Sequence, residues 1–205
     1  MDLREKILTK SMDLMMRIGP QSVTMDMVAR DCGISKRTLY ETFPNKLTLI
    51  SGVVKYSHDI NAMRSKEIFD KAENSFHALM GVYLMARKFI QKTSTVFMTD
   101  IKRLYPEVFD EYKMRENEHI KSLAAIIKRA QDEGLVLSRI NCDIAAFLFT
   151  NNIRSIHNMD ELPFPQYSTT EIFDGAFLNF MRGMATTKGQ EIVENYVRKN
   201  LIKDN

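Results

Sequence analysis

Glycine and proline are scarce in this chain, at 8 and 5 of 205 residues, and the scarcity argues against a β-sandwich or barrel. Those folds need a turn about every 8 to 12 residues, whereas helices of ordinary length need far fewer breaks. Cysteine is nearly missing as well. Cys32 and Cys142 lie far apart with no CxxC or Cys/His grouping, which excludes a zinc site or a disulfide framework and suits a reducing cytosol. Nor is there a large excess of one charge: 29 Lys and Arg against 26 Asp and Glu leave +3, so a site for a polyanion must be local. Long apolar runs are absent, the longest being the six residues from Ile144 to Phe149. The opening MDLREKIL alternates charge with aliphatics, unlike a signal peptide. The expectation is a cytoplasmic protein that is neither exported nor membrane-spanning. What is present, 44% hydrophobic and 27% charged residues, is the balance of a globular chain with one or two domains and a real core.

Apolar residues recur at helical spacing almost throughout. Leu3, Ile7, Leu8, Met12, Met15 and Ile18 predict a first helix of about 16 residues, stopped by Gly19-Pro20. Thr24 caps a short helix through Arg30, Cys32-Gly33-Ile34 turns the chain, and Ser35 caps another through Thr42. From Lys46 a long helix runs towards Asp70. Helices follow over Phe76 to Ile90, Val96 to Leu104, Pro106 to Gly134 and Asp143 to Asn158. Lys128 and Arg129 complement the dipole at the end of the third of these. Pro163 and Pro165 break the chain, an apolar seam runs from Ile172 to Met184, and Gly189 separates off a last helix to Asn200. The fold class is all-α.

The segment from Val23 to Leu49, VTMDMVARDCGISKRTLYETFPNKLTL, has the parts of a helix-turn-helix. It needs a small residue where the helices cross, a turn glycine, an apolar residue after it and an inward apolar pair on the second helix. Ala29, Gly33, Ile34, and Leu39 with Phe43 supply them. At 100° per residue Arg37 and Glu41 point away from that pair, with Thr38 and Tyr40 flanking. Ser35-Lys36-Arg37-Thr38 lies at a helix N-terminus, where free N–H groups and two cations attract phosphate. Taken singly, Lys36, Arg37 and Lys46 also read as solvated charges and Tyr40 as a half-buried ring; their common register favours an interface. Glu41 faces a neighbouring side chain or solvent.

T-M-x-x-V-A-R-x-C-G-I-S-K-R-T-L-Y-x-x-F-P-N-K, with the helix ending at Gly19 before it, closely resembles the DNA-binding domain of the TetR family of bacterial transcriptional regulators. The resemblance spans about residues 3 to 52. It implies a three-helix DNA-binding domain over residues 1–46 and a helical ligand-binding and dimerisation domain over 47–205. It further implies that Thr24 meets phosphate, that Lys36 and Arg37 reach base edges, Lys36 alternatively a phosphate, and that Ser35, Thr38 and Tyr40 complete the DNA-facing set. Lys46 matches a phosphate contact. Arg37 bound bidentately to guanine is worth about 1–3 kcal/mol of discrimination. The family often has a small residue at that position, so the operator is this chain's own.

The partners so implied are a palindromic double-stranded operator, a second copy of the chain and a small-molecule effector, in a repressor that the effector releases, with no enzyme activity, cofactor or metal. Tyr83, Phe97, Met98, Phe109 and Tyr112 are candidate cavity-lining residues, with Asp100 as a polar group on the face of Phe97; aromatics and Met at this spacing also read as plain core. Phe147, Ile153, Phe173, Phe177, Phe180 and Met184 are candidates for a dimer interface or for intramolecular core. The rival readings are a ferritin-like metal-binding bundle and a helical interaction protein without a DNA role. Glu116-x-x-His119 has the spacing of a di-iron site, but that site needs two copies and the chain has one.

Overall fold

A computed structural model describes residues 2–94, 96–157 and 166–201. Among them the chain forms ten helices and no strand: α1 (Leu3–Ile18), α2 (Met25–Cys32), α3 (Lys36–Thr42), α4 (Lys46–Lys71), α5 (Ser75–Lys92), α6 (Val96–Leu104), α7 (Pro106–Asp132), α8 (Cys142–His157), α9 (Thr169–Met184) and α10 (Thr187–Asn200). None is long and apolar enough to cross a membrane. The breaks expected at Pro163 and Pro165 lie outside the described residues, as do the side chains of Glu116 and Ile156. By backbone contact the chain divides into two compact units, Met1–Arg64 with Lys92–Arg115, and Ser65–Gln91 with Glu116–Asn205. The helix-turn-helix region therefore shares a unit with the first part of α4, with α6 and with the start of α7.

In the first unit, capping residues set the helix starts. Asp2 accepts from Glu5 N–H at 2.7 Å, Thr24 from Met27 N–H at 3.2 Å and Ser35 from Thr38 N–H at 3.1 Å, each satisfying a donor that the helix leaves free. Gly33 ends α2 at φ 64°, ψ 38° and returns its N–H to Arg30 O and Ala29 O, a left-handed conformation that any Cβ penalises. Ile7, Met15, Val28, Ala29, Leu39, Phe43, Leu49, Ile50 and Val53 close the core. Each large apolar side chain so buried contributes about 1.5–3 kcal/mol. Arg4 lies over the Phe43 ring at 4.6 Å. Ser11 is fully buried, and its hydroxyl has no hydrogen-bond partner among the described residues.

The second unit has its own apolar cluster from α5, α7, α8, α9 and α10, centred on Phe76, Met80, Tyr83, Ile127, Leu135, Phe177, Met181 and Val193. Its periphery is tied by side chains acting as caps: Glu133 accepts from Ser75 N–H at 2.8 Å and from the Ser75 hydroxyl at 3.1 Å. Lys128 and Arg129 do not simply face the α7 dipole; they pair with Asp132 at 2.6 Å and Glu133 at 3.1 Å. The helix boundary at Gly189 is corrected. Thr186 is the N-cap, accepting from Gly189 N–H at 3.2 Å, so Gly189 lies inside the first turn of α10. It is needed there for space, because a Cβ would collide with the Leu135 carbonyl and stand 3.0 Å from Phe76.

The six candidate dimer residues differ in burial. Phe173, Phe177 and Met184 are 2–4% exposed within the single chain and pack in its own cluster. Ile153 and Phe180 are half-buried against that cluster. Phe147 is exposed, and with Ile144 and Leu148 it leaves one side of α8 apolar at more than 50% exposure for each.

Candidate nucleic-acid interface

Leu39 and Phe43 are buried at 0% and 1%, which fixes the rotation of α3 about its axis and hence what it shows outside. Arg37 points away from that pair and is exposed, Tyr40 and the half-buried Thr38 flank it, and Lys36 is exposed in the first turn. Ser35 starts the helix, and its hydroxyl lies 2.8 Å from that of Thr38. Thr24 is exposed at the start of α2. Seven sequence-predicted residues thus fall in the same compact unit, at the N-termini of α2, α3 and α4 or on the outward side of α3.

The two α3 cations are not bare. Lys36 Nζ lies 2.6 Å from Asp26 Oδ2 of α2, and Arg37 Nε donates to Glu41 Oε1 at 2.9 Å. Arg37 is 88% exposed and Lys36 63%; pairs this exposed contribute about 0–1 kcal/mol, little enough for a phosphate or base edge to displace the carboxylate. The Arg37–Glu41 pair was visible as i, i+4 spacing. Asp26 gave no sequence signal, because its approach to Lys36 depends on how α2 and α3 cross.

Lys46 opens α4, whose first turn is capped by Asn45: Asn45 Oδ1 accepts from Thr48 N–H at 2.9 Å. Lys46 Nζ donates to the Gln21 carbonyl at 2.9 Å. Burial pushes its proton affinity below the ordinary lysine value, and the Asp100 carboxylate opposes that shift. A cation at a helix N-terminus is disfavoured by the dipole, whereas an anion beside it would meet both the ammonium and the free N–H groups.

The six ligand candidates do not share one unit. Phe97, Met98, Asp100, Phe109 and Tyr112 belong to the first. Phe109 and Tyr112 stack at 6.4 Å, with Lys113 over the Phe109 ring at 4.7 Å. Tyr83 belongs to the second unit and is 1% exposed, stacked on Phe177 at 4.3 Å and on Phe173 at 5.5 Å. Its hydroxyl donates to Asp174 Oδ1 at 2.6 Å, and Arg87 Nε donates to the same carboxylate at 2.9 and 3.0 Å. Burial and that hydrogen bond raise the Tyr83 pKa well above its ordinary value. Asp100 is also engaged within the chain, accepting from Gln21 N–H at 2.9 Å.

Residues 7–53 match the family model of bacterial regulatory proteins, tetR family. No curated protein is matched. Solved structures with the same fold include a TetR-family transcriptional regulator from Agrobacterium tumefaciens, at TM-score 0.72 and 15% identity over 89% of this chain and 97% of that one. A gamma-butyrolactone receptor described as ArpA-like gives TM-score 0.67 and 17% identity over 95% and 94%. The ketosteroid transcriptional regulator KstR2 of Mycobacterium tuberculosis gives 0.60 and 16% over 90% and 96%. The N-terminal segment is thus a tetR-type helix-turn-helix, carried in an all-α chain that shares its fold with TetR-family regulators.

Proposed function

We propose that this protein is a sequence-specific transcriptional regulator that binds a palindromic operator as a homodimer and leaves it when a small molecule binds. The observation that carries the reading is the α3 surface: an apolar pair locked inward, and Lys36, Arg37 and Tyr40 exposed with Thr38 half-buried beside them, at the end of a helix-turn-helix. In this reading Arg37 reads a guanine edge and Lys36 a base edge or phosphate. Thr24, Ser35, Thr38, Tyr40 and Lys46 fix the head on the backbone. One head has a small footprint, so affinity requires two, on half-sites about 34–36 Å apart. The exposed apolar side of α8, Ile144 with Phe147 and Leu148, supports pairing of two chains there.

Repression follows if the operator overlaps a promoter, and release follows if the effector prefers the dimer shape that does not fit DNA, a coupling typically about 1–3 kcal/mol. The effector is a small, largely apolar molecule, in keeping with the 14 Met and 12 Phe of the chain. Such a regulator works in the cytoplasm without a cofactor. Selection of duplexes from a random pool by the purified full chain tests the proposal. Enrichment of a palindrome bound in a salt-sensitive way is expected; no enrichment, with retention indifferent to salt, refutes it.

A further inference from the structure

Asp100 stands apart from the other candidate ligand residues. It is a carboxylate whose side chain is 9% exposed, and burial of a charge is costly unless something answers it. What answers it is the loop between α1 and α2. Gln21 N–H donates to Asp100 Oδ2 at 2.9 Å, and Arg103 Nη2 lies 3.8 Å from Oδ1. The same Gln21 gives its carbonyl to Lys46 Nζ at 2.9 Å and its side-chain Oε1 to Arg103 Nη2, also at 2.9 Å. One residue of the loop therefore joins an acid of α6 to the lysine that opens α4.

The loop is built to admit this acid. Gly19 has φ +80°, and a Cβ there would stand 2.8 Å from Asp100 Oδ2 and 2.9 Å from Val96 Cγ2. Ser94 N–H donates to Met16 O at 2.7 Å, so the backbone just before α6 is bonded to the last turn of α1. Lys46 meanwhile lies where the helix dipole disfavours a cation, and Asp100 is the negative charge acting against its desolvation. One of its three ammonium donors is taken by Gln21, leaving two for a phosphate.

We propose that Asp100 is a positioning residue for DNA binding: through Gln21 it holds the Lys46 ammonium in the pose in which it meets a phosphate. Its job is to remove conformational freedom from a flexible side chain before DNA arrives. This rests on the reading of the first unit as DNA-binding.

The sign of the effect separates this role from simpler ones. Removal of an acid close to a polyanion tightens binding by charge alone, whereas loss of a positioning residue weakens it. The full chain is titrated with a labelled mixed-sequence duplex across about 50 to 200 mM salt. Lys46→Met is expected to weaken binding about tenfold and to lower the slope of log affinity against log salt by about 0.9. Asp100→Ala is expected to do the same, and the double variant to be no weaker than Lys46→Met. Asp100→Asn keeps an acceptor for Gln21 N–H and loses less, in the same direction; it carries the test if circular dichroism shows Asp100→Ala unfolded. Asp100 variants that bind as tightly as the wild type or tighter, or whose losses add to that of Lys46→Met, overturn the proposal. A wild type that binds no duplex at any salt removes the DNA-binding reading itself, and this inference with it.

Discussion

Glu41→Gln isolates the competition between protein and DNA for the outward cations of α3. In the free chain Glu41 accepts from Arg37 Nε at 2.9 Å, with 60% and 88% of the two side chains exposed. An i, i+4 pair so exposed stabilises by about 0.3–0.5 kcal/mol, so the variant stays folded and its urea midpoint barely moves. On DNA the same carboxylate is a liability. A unit charge about 6 Å from a phosphate in water is worth about 0.7 kcal/mol, or about threefold in affinity, and the freed guanidinium adds to it. Binding should therefore tighten about three- to tenfold near 0.1 M salt, and its salt slope should steepen by up to about 0.9. Fluorescence anisotropy over a salt series measures both. Weaker binding, or a lost base preference at unchanged stability, would show that Glu41 aims Arg37 and does not compete for it, and would refute the reasoning.

Asp174 accepts from Tyr83 and Arg87 together. Asp174→Ala leaves a buried phenol and a half-buried guanidinium unanswered, so urea unfolding should show a loss of about 3 kcal/mol, against about 1 kcal/mol for Tyr83→Phe; equal losses would deny the shared role. Phe147→Glu puts a charge on the exposed apolar side of α8 and should shift sedimentation from dimer to monomer while the helical content is kept. The Arg182 guanidinium, 2.7 Å away, holds the Glu194 carboxyl below its ordinary value of 4.5. A folded-state value below the unfolded one means that its stabilisation is full above about 4.5 and is lost as pH falls through the lower folded value. Glu194→Gln should shrink the fall in melting temperature on acidification by an amount worth under about 1 kcal/mol, since the pair is exposed; an unchanged pH profile would contradict this.

Helical periodicity, caps and stops were legible in the sequence because they depend on neighbours within a few positions. Thr24 and Ser35 cap where a hydroxyl precedes an apolar repeat, Gly33 turns where only glycine is free to, and Leu39 with Phe43 face inward because they stand four apart. Those local rules define the α3 surface. Periodicity also says which side of a helix is buried but not against what, and there tertiary structure decided. Phe173, Phe177 and Met184 form an apolar seam that reads in sequence as core or as interface alike; only the tertiary structure shows these three side chains packed in the chain's own cluster and Ile144, Phe147 and Leu148 outside it. Lys36 meets Asp26 only because of the angle at which the consecutive helices α2 and α3 cross, and Asp100 meets Gln21 only because α6 packs on the loop between α1 and α2. Gly189 looked like a helix breaker, yet it lies inside α10, since only the approach of the Leu135 carbonyl reveals that a side chain would not fit.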